Sequence, residues 1–128
     1  MANPASLTIN DLSANASINQ PTAQTVDTNG TINCAVKSVT DRLFLECVNA
    51  AAAAIDVTIK GGFLPPSHRS SDLKITLAAT GSAGDKKLIG PLESGRVTKT
   101  DGSIDVNFLA VSGAPNLTVR VYRLPMKV

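Results

Sequence analysis

Ile55-Asp56-Val57-Thr58-Ile59-Lys60 sets three β-branched apolar residues against three polar ones in strict alternation. Side chains of an extended chain point to opposite faces in turn, so this stretch has one face for a core and one for water. Leu73-Lys74-Ile75-Thr76-Leu77, Ile104-Asp105-Val106-Asn107-Phe108 and Leu117-Thr118-Val119-Arg120-Val121 repeat the pattern. Half-buried strands of this kind must close over a shared interior. The expected fold is all-β, an antiparallel β-sandwich of jelly-roll-like form with an extended N-terminal arm.

Turn residues punctuate the chain at matching intervals. Asn29-Gly30 is a strong turn signal that launches Thr31–Val36. A polar bend over 37–41 leads to Arg42–Val48, where Leu43, Leu45 and Cys47 share a face and Phe44 and Val48 fall on the other with Arg42 and Glu46. The expectation is a hairpin centred near Thr40. Asn49–Ala54 could form a helical turn from its alanines, but six residues are marginal for a helix and a loop suits them at least as well. Gly61-Gly62-Phe63-Leu64-Pro65-Pro66 ends the Ile55 strand and opens a long loop to Ser71. Gly81–Asp85, Gly90-Pro91, Asp101-Gly102 and Gly113–Asn116 separate the later segments, which include Lys86–Ile89 and a short strand over Glu93–Val97. Leu124-Pro125 ends the last strand. The tally expected is eight to ten strands.

At 128 residues the chain suits one domain with a core of its own. Aromatic residues make up 3%, so Val, Leu, Ile and Ala must fill that core. Residues 1–29 are rich in Asn, Ala, Ser, Thr and Gln and form the arm, and residues 30–128 form the sandwich domain. Leu7 and Ile9 favour an arm ordered against the body or a neighbouring subunit over a free tail. Residues 1–64 carry three basic and five acidic groups, and residues 65–128 carry nine and five. This imbalance suits an acidic partner surface but is too diffuse for a nucleic-acid groove. The first residues lack the features of a secretory signal, and no apolar run approaches the roughly 18 residues of a membrane span. Synthesis in a cytoplasm, with a particle assembled there as one destination and no membrane partner, is the expectation.

Chemistry finds little support. His68 is the lone histidine, so a His-based metal cluster is excluded, and no serine sits in a nucleophile-elbow sequence. Asp56 and Asp105 fall on polar strand faces. Gly81–Lys87 lacks the spacing and ending of a phosphate loop and suits a basic hairpin turn. Cys34 and Cys47 would oppose one another in the expected hairpin. They suit two buried reduced thiols, and a disulfide formed later is the alternative. The chain is not expected to be an enzyme, to hold a cofactor or metal, or to take a small-molecule substrate.

The segment Ile89-Gly90-Pro91-Leu92-Glu93-Ser94, with Asp101-Gly102-Ser103-Ile104 and the closing Leu117–Pro125 strand, resembles capsid decoration (cement, head-stabilising) proteins of tailed double-stranded DNA bacteriophages. The resemblance covers about residues 41–125. It implies a virion protein on the outer capsid surface, bound to the major capsid protein, assembled as a homotrimer and tying neighbouring capsomers together. Candidate capsid or subunit contacts are Leu7 and Ile9 in the arm, Phe63, Leu64 and Arg69 in the long loop, and Arg120 and Tyr122 on the last strand. Aspartate at Leu7 and Ile9 is expected to leave the body folded and weaken attachment. The alternatives are a carbohydrate- or receptor-binding module of a phage tail or surface adhesin, and a small jelly-roll shell protein. The absence of Trp and the single Tyr weigh against an aromatic sugar platform.

Overall fold

A computed structural model describes residues 3–36, 42–61, 72–92, 97–99 and 101–125. Among these, nine strands form two sheets: β1 (Ile9–Asp11), β2 (Gln24–Val26), β3 (Gly30–Cys34), β4 (Leu43–Asn49), β5 (Ile55–Ile59), β6 (Leu73–Leu77), β7 (Lys86–Ile89), β8 (Ile104–Ala110) and β9 (Leu117–Arg123). The first sheet has the order β3-β8-β5-β6. The second has β9-β4-β7, with β1 and β2 end to end along the other side of β9. The architecture is all-β, two sheets packed as a sandwich that does not close into a barrel.

The alternation of the sequence becomes the core directly. Leu43, Leu45 and Cys47 of β4 and Leu117, Val119 and Val121 of β9 meet Ile55, Val57 and Ile59 of β5 and Ile104, Val106 and Phe108 of β8 in one apolar cluster. Each such side chain contributes about 1.5–3 kcal/mol when fully buried. Ile89-Gly90-Pro91-Leu92 brings Ile89 and Leu92 into that cluster. Gly90 sits between them at φ +124°, where an added Cβ would lie 2.8 Å from the Leu43 carbonyl oxygen. Only glycine fits there.

The antiparallel pairs are nested. β5 pairs with β6, β4 with β7, β3 with β8 and β2 with β9, while β5–β8 and β4–β9 join these pairs sideways. The expected hairpin of Thr31–Val36 with Arg42–Val48 is therefore not formed. β3 ladders onto β8 in one sheet and β4 onto β9 and β7 in the other. Cys34 and Cys47 consequently belong to opposite sheets, where both are buried free thiols. Burial pushes their pKa up to about 11 and about 12 respectively, which holds both protonated and poor as nucleophiles. Gly81–Asp85 likewise links β6 to β7 across the two sheets and is not a hairpin turn. Residues 51–53 bend without forming a helix. The expected strand over Glu93–Val97 lies outside the described residues except for Val97, which is buried.

The first residues tie both sheets together. Asn3 Oδ1 accepts from the Asp27 and Thr28 amides, Ser6 bridges to Asn33, and the Leu7 amide donates to the Asn33 carbonyl. Three residues later β1 runs parallel to β9 in the other sheet. Leu7 is 3% exposed within the core and Ile9 packs against it. The expectation that aspartate at Leu7 leaves the body folded is thus corrected, because a carboxylate there would lose its water with no partner gained.

A charge pair closes this strap. Arg123 donates from Nε to Asp11 Oδ1 at 2.6 Å and from Nη2 to Oδ2 at 3.1 Å. The guanidinium holds the Asp11 carboxyl below its ordinary value. A carboxyl with a lowered folded pKa contributes stability above its unfolded value, about 3.9, and loses that contribution as pH falls through the folded value. Asp11→Asn is therefore expected to lower the urea midpoint at pH 7, with the gap from the parent shrinking below about pH 4. An equal gap at pH 7 and at pH 2 would contradict the assignment.

Candidate functional site

The two outer faces of the sandwich differ in kind. On the first sheet the outward residues are mostly polar and satisfy one another. Thr31 Oγ1 donates to Asn107 Oδ1 at 3.0 Å, Asn33 Nδ2 to Asp105 Oδ1 at 2.8 Å and Thr76 Oγ1 to Asp56 Oδ1 at 2.6 Å. Lys74 and Lys99 pair with Asp56 and Asp105. Leu109, 49% exposed beside Asp56, is an apolar exception on this face.

The outer face of the second sheet is amphipathic. The register sets Phe44 beside Tyr122, Glu46 beside Arg120, and Val48 beside Thr118. On the other side of β4, Leu88 lies beside Glu46 and Lys86 beside Val48. Phe44 and Tyr122 stack with ring centroids 5.3 Å apart and planes 24° apart. Arg120 reaches Glu46 Oε1 from Nη1 at 2.8 Å and donates from Nε to the Pro21 carbonyl at 2.9 Å. That bond draws the segment between β1 and β2 over the sheet. A groove of about 560 Å³ results, with Val48, Thr118 and Leu88 along it, Glu46 and Arg120 at one side, Lys86 and Lys87 at the other, and Gln20 contributed by the segment.

Of the contacts expected from sequence, Arg120 and Tyr122 lie on this face, both half-buried. Leu7 and Ile9 are engaged by the monomer's own core, so the folded monomer offers Leu7 to no partner. Phe63, Leu64 and Arg69, with His68, lie outside the described residues. Leu88 and Gln20 were not singled out by sequence reasoning. Leu88 is 67% exposed in Lys86-Lys87-Leu88-Ile89, a strand without alternation. Its partner strand had to be known before its face could be assigned.

The face offers an aromatic pair, an aliphatic floor and charges of both signs, a combination suited to adhesion. Among the described residues, no group of three His, Cys, Asp or Glu is placed to hold a metal ion. A smaller depression of about 490 Å³ between Ser6, Ile9, Ala35 and Arg123 lies where the N-terminal strap crosses between the sheets. The chain matches no protein-family model, no curated protein and no solved structure.

Proposed function

We propose that this chain is a structural protein that binds the outer surface of a bacteriophage capsid and stabilises contacts between capsomers, assembled as a homotrimer and without enzymatic activity. We also infer that its framework is a jelly roll, a reading supported by the nested pairs β2–β9, β3–β8, β4–β7 and β5–β6. Fold alone does not select a function. The observation that carries the reading is the contrast between the outer faces, one mostly polar and internally hydrogen-bonded with Leu109 as an exposed apolar residue, the other amphipathic with Phe44, Tyr122, Val48 and Leu88 turned outward. A clamp needs a rigid body, and the N-terminal strap fastened to both sheets supplies stiffness. Repeated attachment around a symmetric shell would multiply modest contacts of this kind into firm retention.

The test is electron cryomicroscopy of expanded capsids that lack this protein, mixed with the purified chain. Ordered density at symmetry-related sites is expected, with the second sheet's outer face toward the shell. The doubly substituted Phe44→Ala, Tyr122→Ala protein, checked for an unchanged circular-dichroism spectrum, is expected to be lost from the particle on dilution. Bare capsids beside a folded parent protein would overturn the proposal. In that event the aromatic pair makes glycan binding by a tail or adhesin module the next reading, because stacked rings on an exposed sheet are a surface that sugars use.

A further inference from the structure

We propose that β7 is a docking edge, and that an extended acidic segment of a partner adds to the second sheet there as its next strand. Four edges terminate the two sheets, and the chain treats them unequally. The side of β9 away from β4 is covered by β1 and β2. Outside β3, the Ser6 bridge and the Leu7 amide occupy Asn33. Those two edges share the flank that the N-terminal strap crosses. On the opposite flank β6 and β7 each end a sheet with no strand beyond them among the described residues, and Lys74 of β6 is already paired with Asp56.

The phase of the ladder identifies which groups face outward. The Asn49 amide donates to the Asp85 carbonyl at 2.8 Å, which makes these opposed residues a hydrogen-bonded pair. Bonded pairs alternate along an antiparallel ladder, so Lys87 with Cys47 and Ile89 with Leu45 are bonded as well. Lys86 and Leu88 then direct their N–H and C=O groups away from β4. An incoming strand meets those groups with its own backbone, and its side chains on the outer face fall beside Leu88 and the mouth of the groove.

Charge selects the occupant. Ion pairs take up Lys60, Lys74, Lys99, Arg120 and Arg123. Among the described residues Lys86 and Lys87 have no carboxylate partner; Lys87 Nζ instead reaches the neutral Thr76 carbonyl of β6 at 3.0 Å. Lysines on an edge strand repel a second copy of that edge, because like charges would gather across the new ladder. They attract a strand bearing Asp or Glu at alternate positions, which can set its acids on the side of Lys87 and its intervening apolar residues on the outer face beside Leu88. Lysines alone would only keep the edge soluble, but a leucine exposed between them and the groove gives an incoming strand apolar surface to cover.

The probe is the peptide acetyl-Asp-Val-Glu-Val-Asp-Val-amide, titrated into the full chain and followed by amide chemical shifts and hydrogen exchange. The largest shifts and slowed exchange are expected at the Lys86 and Leu88 amides. Affinity should fall about tenfold or more with Lys86→Glu, Lys87→Glu, and fall likewise as salt is raised. Leu88→Pro removes an outward donor without touching the β4 ladder, so it should abolish binding while β4 and β9 amides keep their positions. If that variant does not fold, the charge reversal on exposed side chains decides alone. The proposal is overturned if shifts at millimolar peptide miss β7, if the matching lysine peptide binds as well, or if folded Leu88→Pro protein binds unchanged. The assay uses the protein without capsids, so its failure leaves the capsid reading standing and the converse holds too.

Discussion

Phe108→Ala is expected to remove about 3–5 kcal/mol of folding stability, the usual cost of deleting a buried phenyl ring. Phe108 is the largest fully buried side chain of the described structure. It lies on β8, which is flanked on both sides, opposite Gly30 on β3 and Val57 on β5. Neither neighbour can fill the void. Gly30 has no side chain, and Val57 is held by its own ladder. Aromatic residues are scarce in this chain, so no second ring can shift into the space. Typical domains are stable by about 5–15 kcal/mol, so this single truncation removes a large fraction of the total. Urea unfolding followed by far-ultraviolet circular dichroism measures it, with an unchanged slope required for a two-state comparison. A loss under about 1 kcal/mol would show that the two sheets collapse onto the vacancy, contrary to the tight packing inferred here.

Asn49→Ala is expected to cost about 2–4 kcal/mol, although it removes almost no apolar surface. Asn49 is one of two buried polar side chains among the described residues. Its Nδ2 donates to the Ala53 and Ala78 carbonyls, each at 2.9 Å, and its Oδ1 accepts from the Ala51 amide at 3.0 Å. These bonds fold the alanine-rich connection after β4 and fasten it to the end of β6. Alanine would strand three half-buried backbone groups; each costs about 1–3 kcal/mol when left fully unpaired, and water that reaches them in part keeps the total near the low end. Asn49→Asp discriminates the cause, because it keeps the shape and the acceptor but loses both donated bonds and adds a charge. It should be at least as damaging as alanine. An Asp variant close to the parent in its urea midpoint would mean that water reaches these carbonyls.

These two residues illustrate different kinds of legibility. Phe108 stands at an apolar position of an alternating run, so its burial follows from local sequence. Asn49 is the last residue of β4 and a polar one at an inward position, in a stretch that from sequence could equally have been exposed loop. Its role depends on Ala78, which is distant in the chain. The amphipathic face divides in the same way. Arg120 and Tyr122 were identifiable as neighbours on one side of a strand, and Phe44 as an apolar residue facing away from Leu43 and Leu45. That Phe44 stacks on Tyr122, and that Glu46 neutralises Arg120, required the β4–β9 register.

The sequence by itself determined that the chain is all-β, where most of its strands run, which residues of the alternating strands face inward, and where turns interrupt them. Those are consequences of a two-residue period and of Gly, Pro and Asn, and both act over a few neighbouring residues. Tertiary structure alone decided which strand lies beside which. Thr31–Val36 and Arg42–Val48 looked like partners because they are adjacent in the chain, yet each gains more by pairing with a distant strand and sealing opposite sides of one core. The same contest decided the N-terminal segment. Its sparse apolar residues bury little on their own, and Leu7 becomes core only because β3 and β9, brought together by the fold, leave a place for it between the sheets.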